Sequence, residues 1–316
     1  MQRIVTVTMN ASIDKSCTID RVVPERKLRC NPPCYEPGGG GINVSRAIRK
    51  LGGESLALYP SGGPTGQMLQ ELLDQEGLNH RAIPSEGWTR VNLTVLEEST
   101  GQQFRFVMPG PTLRHSEWQR CLDELAAVAP QPDYVVASGS LPPGVPDDFF
   151  ARVVRIANDL GARSIVDTSG EALRVAAREG VYLLKPNLRE LSQLAGRALD
   201  DEPNQEAAAI EMIEAGGCET VAVSLGGAGV LLVSRQEHER LRSPTVPIVS
   251  KVGAGDSMVA GIVLSLARGE SLRNAVRFGV AAGAAAVMTP GAELCRREDT
   301  ERLYKRMIAG TSRPRV

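Results

Sequence analysis

Histidine is scarce in this sequence. The three present, at positions 80, 115 and 238, are far apart along the chain. A histidine metal centre or a Ser-His-Asp triad therefore lacks its usual raw material. The six cysteines, at 17, 30, 34, 121, 218 and 295, form no CxxC pair. That argues against a zinc or disulfide framework and favours reduced thiols in a cytoplasmic protein. Charge of either sign is not in excess, with 36 basic and 37 acidic residues and a net charge of −1. Neither a nucleic-acid footprint nor a polybasic membrane surface fits that balance. No apolar run is long enough to span a bilayer: "FGVAAGAAAVM" is short and rich in Ala and Gly. The start, "MQRIVTVTMN", alternates like a strand and lacks signal-peptide architecture. There is no internal repeat and no GxxxxGK[ST] phosphate loop.

What is present is a regular alternation. Short β-type runs ("RIVTVTM", "SLALYP", "DYVVASG", "RSIVDTS", "YLLKPN", "TVAVSLG") alternate with helical segments at 42–51, 66–76, 116–128, 147–160, 188–195 and 205–215. This pattern predicts an α/β fold with three layers, a mostly parallel sheet flanked by helices. Two stretches, 13–35 and 89–108, read as strands and turns without helices. Residues 89–108 resemble a hairpin turning at "ESTGQQ". Together the two stretches predict a small β-sheet lid within a single domain spanning residues 1–316. The lid's outer face would need cover, which a second subunit in a homodimer would supply.

Two glycine-rich segments carry the chemistry. In "KVGAGDSMVAGIVLSL" (251–266), small residues Gly253, Ala254 and Gly255 precede Asp256, and apolar residues follow at helical spacing. A tight loop entering a helix exposes unpaired N–H groups and binds anions. A carboxylate there is unexpected unless it reacts or caps. In "EPGGGGINVSRAIRKLGG" (36–53), four glycines run into a helix with Asn43 in its first turn. Such a run costs backbone entropy, so a tight turn or close backbone approach to a ligand must require it. The spacing Gly253-x-Gly255-x-x-Met258 misses the dinucleotide fingerprint, which argues against an oxidoreductase.

These two segments, together with "SGSLPPG", "IVDTSGEAL", "LLKPNLRE" and "VSLGGAGVLLV" in order, resemble the PfkB (ribokinase-like) carbohydrate kinases over essentially the whole chain. The resemblance implies ATP-dependent phosphorylation of a ketohexose phosphate by direct in-line transfer. Fructose 6-phosphate going to fructose 1,6-bisphosphate is the first expectation, with tagatose 6-phosphate or fructose 1-phosphate as alternative acceptors. An inactive sugar-phosphate sensor with the same fold is the alternative of another class.

The resemblance also implies roles. The loop of Gly253, Ala254 and Gly255 would form an anion hole, with the main-chain amides of Ala254, Gly255 and Asp256 facing the migrating phosphoryl group and Asp256 as base. The helix end should depress the Asp256 pKa. Asp14, Gly39, Gly40 and Asn43 would hold the sugar. Lys27, Arg29, Arg90 and Ser140 would hold its phosphate, a task that suits arginine. Lys185, Asn187, Ser224, Gly226 and Gly229 would contact ATP, although a strand-turn-strand hairpin needs the same glycines. Asn187 and Glu190 would organise Mg²⁺, partly through water. Some members also use K⁺. Many members read Asp-Thr where this chain has Ser250-Lys251, so Lys251 could itself add positive charge.

Overall fold

The computed structural model describes residues 2–311, with side chains to 309. The chain opens with strands β1 (Ile4–Val7), β2 (Ser12–Ile19) and β3 (Cys34–Gly38), then helix α1 (Gly40–Lys50), β4 (Leu56–Ser61), α2 (Gly63–Gln75) and β5 (Asn79–Pro84). Next come β6 (Arg90–Glu97), β7 (Gln102–Phe106), α3 (His115–Ala126), β8 (Tyr134–Ser138), α4 (Phe149–Asp159), β9 (Arg163–Asp167) and α5 (Gly170–Ala176). They are followed by β10 (Val181–Leu184), α6 (Leu188–Ala195), α7 (Glu202–Glu214), β11 (Cys218–Ser224), β12 (Val230–Ser234) and β13 (His238–Leu241). Three helices complete the described residues: α8 (Ala254–Ala267), α9 (Leu272–Ala286) and α10 (Arg297–Thr311).

The main sheet has nine strands in the order β13-β12-β11-β10-β9-β8-β1-β4-β5. It is parallel except at the β11-β12-β13 end, where two antiparallel pairings occur. Helices lie on both faces because side chains alternate along each strand. Val5, Val7, Val135 and Ala137 join the core under α3 to α7. Ile4, Tyr134 and Val136 join the opposite core with α1, α8 and α9. The predicted strands and helices are all present. Five further elements were not expected: β5 and β13, whose exposed polar residues dilute the alternation, α5, which is short, and α9 and α10, whose small or charged residues blur the period.

Two features position the site. The first is the reversal of strand order at β1, which has β8 on one side and β4 on the other. Ligands in open α/β sheets bind at such switch points, beyond the carboxyl ends of the strands. The second is a separate four-stranded sheet, β3-β2-β6-β7, made from the two helix-free stretches. It is a smaller accessory sheet of the expected kind, although β3 runs past residue 35 to Gly38, and β6 and β7 pair as the expected hairpin. No helix among the described residues is long and apolar enough to cross a membrane.

Candidate active site

The two glycine-rich segments meet. Asn43 in the first turn of α1 donates from Nδ2 to Asp256 Oδ2 at 2.9 Å, across 213 residues of sequence. Asp256 is the third residue of α8, whose N-cap is Gly253, so it does not cap its own helix. That leaves its carboxylate available for other work, and no side chain caps the amides of the first turn. Gly40 is explained by the protein itself. A Cβ there would lie 2.5 Å from the backbone nitrogen of Gly139, so only glycine lets α1 start this close to the end of β8. Gly39 is the N-cap of α1 and packs on Thr8 and Ala11.

The electrostatics of Asp256 correct the sequence-based expectation. Its pKa is raised from 3.8 to about 7, not depressed. The residue keeps some solvent contact, yet its carboxyl is deeply enclosed, and desolvation is the largest cause. Asp167 at the end of β9 and Asp14 add like charge, against which Asn43 and Lys185 act in the opposite direction. Desolvation outweighs the helix end because a dipole's partial charge is small beside the cost of enclosing a full one. A carboxylate with a pKa near neutrality is well matched to general-base work.

On the lid side, Asp14 of β2 accepts from Ser12 Oγ at 2.9 Å and from Asn92 Nδ2 at 2.8 Å, both on Oδ1. Arg90, at the start of β6, donates to the carbonyls of Met108 at 3.0 Å and Asn10 at 2.9 Å. Burial lowers its pKa, with Asp14 acting in the opposite direction. Asn10 in turn donates to Ser140 Oγ at 3.0 Å. Asp14, Arg90 and Ser140 are thus brought together around Asn10 and Asn92. Lys27 and Arg29 are not part of this network. They lie exposed in the long β2–β3 connection. Four buried polar atoms here have no protein partner: Thr8 Oγ1, Asn10 Oδ1, Asn43 Oδ1 and Arg90 Nε. Unpaired donors and acceptors gathered at one sheet end suit a polar ligand.

On the other side, Lys185 follows β10 and is nearly fully buried. Its Nζ lies 3.0 Å from Asp167 Oδ1. Desolvation works to lower its pKa, but Asp167, Glu190 and Asp256 together outweigh it and raise the value. Asn187 and Glu190 form a capping box on α6. Asn187 Oδ1 accepts from the Glu190 amide at 2.9 Å, and Glu190 Oε2 accepts from the Asn187 amide at 2.8 Å. Both side chains therefore have a local structural task, which engages Glu190 through Oε2 and leaves Oε1 for another partner. Burial raises the Glu190 pKa, and nearby Asp167 adds to the rise while Lys185 opposes it. No group of three or more His, Cys, Asp or Glu side chains able to hold a metal occurs among the described residues.

Ser224 bridges to Asn187 at the end of β11, and a cleft of about 650 Å³ opens over Asn187, Arg189, Ser224 and Gly226. Gly229 has a structural task in the hairpin. Its φ is 105°, and a Cβ there would lie 1.9 Å from the Leu241 carbonyl oxygen, so the close approach of β13 demands glycine. Ser250 is buried, donating to the Gly291 carbonyl at 3.1 Å, while Lys251 is exposed.

Sequence reasoning did not assign Asp167, Asn92 or Asn10 to the site. Their positions at the end of β9, in β6 and after β1 were the available signal, because each falls at a strand end or within a lid strand.

The chain is similar to known proteins along most of its length. The pattern of the pfkB family carbohydrate kinases matches residues 7–299. The chain is 48% identical over 303 residues to an ATP-dependent 6-phosphofructokinase isozyme 2 of Mycobacterium tuberculosis, covering 96% of this chain and 89% of the relative. It is 44% identical over 305 residues to the isozyme 2 of Escherichia coli, covering 96% and 98%. The crystal structure of phosphofructokinase-2 from Escherichia coli in complex with potassium superposes with a TM-score of 0.94 at 43% identity, covering 98% of this chain and 100% of that one. The same enzyme in complex with fructose-6-phosphate gives a TM-score of 0.92 at 42% identity, with the same coverage. The chain belongs to the pfkB family of carbohydrate kinases.

Proposed function

We propose that the protein transfers the γ-phosphoryl group of ATP to the free primary hydroxyl of fructose 6-phosphate. The observation that carries this reading is the Asn43–Asp256 hydrogen bond. It orients a carboxylate with a pKa near 7 that belongs to the uncapped first turn of α8. The amides of Ala254, Gly255 and Asp256 face the phosphoryl group, and Asp256 takes the hydroxyl proton as the new P–O bond forms. Phosphoryl transfer has a loose transition state, so positioning and charge stabilisation supply most of the acceleration. Attack is direct, without a phosphoenzyme.

Asp14 holds sugar hydroxyls through Oδ2, while Asn43 accepts another through its unpaired Oδ1. Arg90 and Ser140 hold the 6-phosphate. Lys27 and Arg29 join them only if the β2–β3 connection moves or a second subunit presents its own. The relatives named for 6-phosphofructokinase activity and the fructose-6-phosphate complex support this choice of acceptor.

ATP is assigned to the cleft over Asn187, Ser224 and Gly226. The residues present fit Mg²⁺ in part: Glu190 offers a second oxygen near the charge of Asp167, which suits a hard, oxygen-seeking dication. Asn187 is the weaker ligand because its amide oxygen caps α6. Bound with the nucleotide, Mg²⁺ would neutralise phosphate charge. K⁺ is a candidate activator on the strength of the potassium complex of the Escherichia coli enzyme. A homodimer paired through the lid would cover its exposed Tyr35, Phe106, Val107 and Met108. The six unpaired thiols suit a reducing cytoplasm.

The test is a coupled ADP-release assay over fructose 6-phosphate, tagatose 6-phosphate, fructose 1-phosphate and unphosphorylated sugars. The expected result is the highest kcat/KM for fructose 6-phosphate. Preference for another acceptor reassigns the substrate, and inertness toward all of them overturns the reading.

A further inference from the structure

A continuous chain of hydrogen bonds joins the lid to the main sheet. It starts at Asp14 Oδ1, which accepts from Asn92 Nδ2 at 2.8 Å. Asn92 Oδ1 accepts from the Met108 amide at 3.1 Å. The Met108 carbonyl accepts from Arg90 Nη1 at 3.0 Å, and the Asn10 carbonyl from Arg90 Nη2 at 2.9 Å. Asn10 Nδ2 ends the chain on Ser140 Oγ at 3.0 Å. Asn92 stands apart in this chain. It is an uncharged side chain inserted between the sugar-hydroxyl carboxylate and the main-chain support of the phosphate arginine.

The orientation of its amide is forced. A carboxylate only accepts and a backbone N–H only donates, so Nδ2 must face Asp14 and Oδ1 must face Met108. The strand register sets the same arrangement, because Asn92 is the direct neighbour of Asp14 across the parallel β2–β6 pair. We propose that Asn92 is a positioning residue that sets sugar-phosphate affinity: it fixes Asp14 with Oδ2 free and couples that carboxylate to the placement of Arg90. This rests on the assignment of Asp14 and Arg90 to the sugar phosphate.

Two substitutions test it in the full-length protein. Asn92→Ala removes both hydrogen bonds. The KM for fructose 6-phosphate rises about tenfold or more, the scale of a lost bond to a charged group, while the KM for ATP stays within twofold. Asn92→Asp keeps the shape but lets position 92 donate only when protonated. A second carboxyl 2.8 Å from Asp14 holds its proton to higher pH than usual. The other charged groups lining the same pocket are Lys15, Glu36 and Arg105, with Arg90 two residues away on β6. The fructose 6-phosphate KM of Asn92→Asp, divided by that of wild type at each pH, should fall toward one in acid and grow as pH rises.

A deficit in Asn92→Asp that does not vary with pH marks a merely structural role and overturns the proposal. So does wild-type behaviour of both variants. If Asn92→Ala fails to fold, the isosteric variant decides alone. Wild-type enzyme inert toward every sugar phosphate removes the functional reading, and this proposal with it. Active wild type with indifferent variants removes only the proposal.

Discussion

Replacing Asp256 with Asn should lower turnover by orders of magnitude and make the protein more stable. In the folded state the Asp256 pKa is about 7, against a usual value of 3.8. The folded form therefore holds a proton that the unfolded chain releases between those two values. Folding is unpenalised by this group below about pH 4. The penalty grows through the interval and is complete above about pH 7. At about 1.4 kcal/mol per pH unit, the rise corresponds to a ceiling of about 4 kcal/mol. Residual solvent contact and a less than ideal amide partner for Asn43 reduce the expected gain to roughly 2 kcal/mol. Urea unfolding of both proteins at pH 5, 6.5 and 8 gives the measurement, with kcat measured in parallel. The variant should lose at least two orders of magnitude in kcat and gain stability that is largest at pH 8 and shrinks toward pH 5. A variant less stable than wild type at pH 8, or a difference independent of pH, would refute the assignment of a buried, reluctant carboxylate. Near-normal turnover would remove Asp256 as the base.

Asn43→Ala removes a bond that favours ionised Asp256; the acid limb of kcat/KM should move upward by about one pH unit, and a stationary or falling limb contradicts the pairing. Arg90→Ala should raise the KM for the sugar phosphate by at least tenfold with little effect on that for ATP, and the reverse split would assign Arg90 elsewhere. Gly229→Ala places a Cβ against the Leu241 carbonyl oxygen at positive φ, so it should destabilise by about 3 kcal/mol. Gly226→Ala, with nothing within 4 Å of its Cβ, should cost about 1 kcal/mol in the same denaturation assay.

The architecture was legible where the code is local. Short continuous apolar runs such as "DYVVAS" became fully buried strands like β8, and the four-glycine run opened α1 where the helix was expected. The edge strands were harder to see. "HERL" and "NHRAIP" border solvent, so their alternation is diluted by polar residues on both faces. The site was legible as motifs but not as an electrostatic unit. Asp256 stands at a helix start, which the sequence shows. The enclosure and the charges of Asp167 and Asp14, which reverse the expected shift of its pKa, arrive from β9 and β2 only after folding. Asn92 and Asn10 are ordinary polar residues until strand register and the β1 carboxyl end set them beside Asp14 and Ser140. The capping role of Asn187 and Glu190 had a sequence signature, since Asn-x-x-Glu before an apolar residue is a capping box. That local role and a ligand role share the same four residues, which is why spacing alone could not separate them.

The reversal of strand order at β1 divides the labour between the two substrates. The proposed sugar contacts hang from β2, β6, the end of β8 and the start of α1, whereas the proposed nucleotide contacts follow β10 and β11. Only the first turn of α8 is common to both. If these assignments hold, changes to turns at the antiparallel wing should act on the nucleotide with little effect on acceptor choice, and changes to the lid strands should act on the acceptor with little effect on the nucleotide. A protein engineer could treat the molecule as two adjustable jaws closing on one fixed anvil.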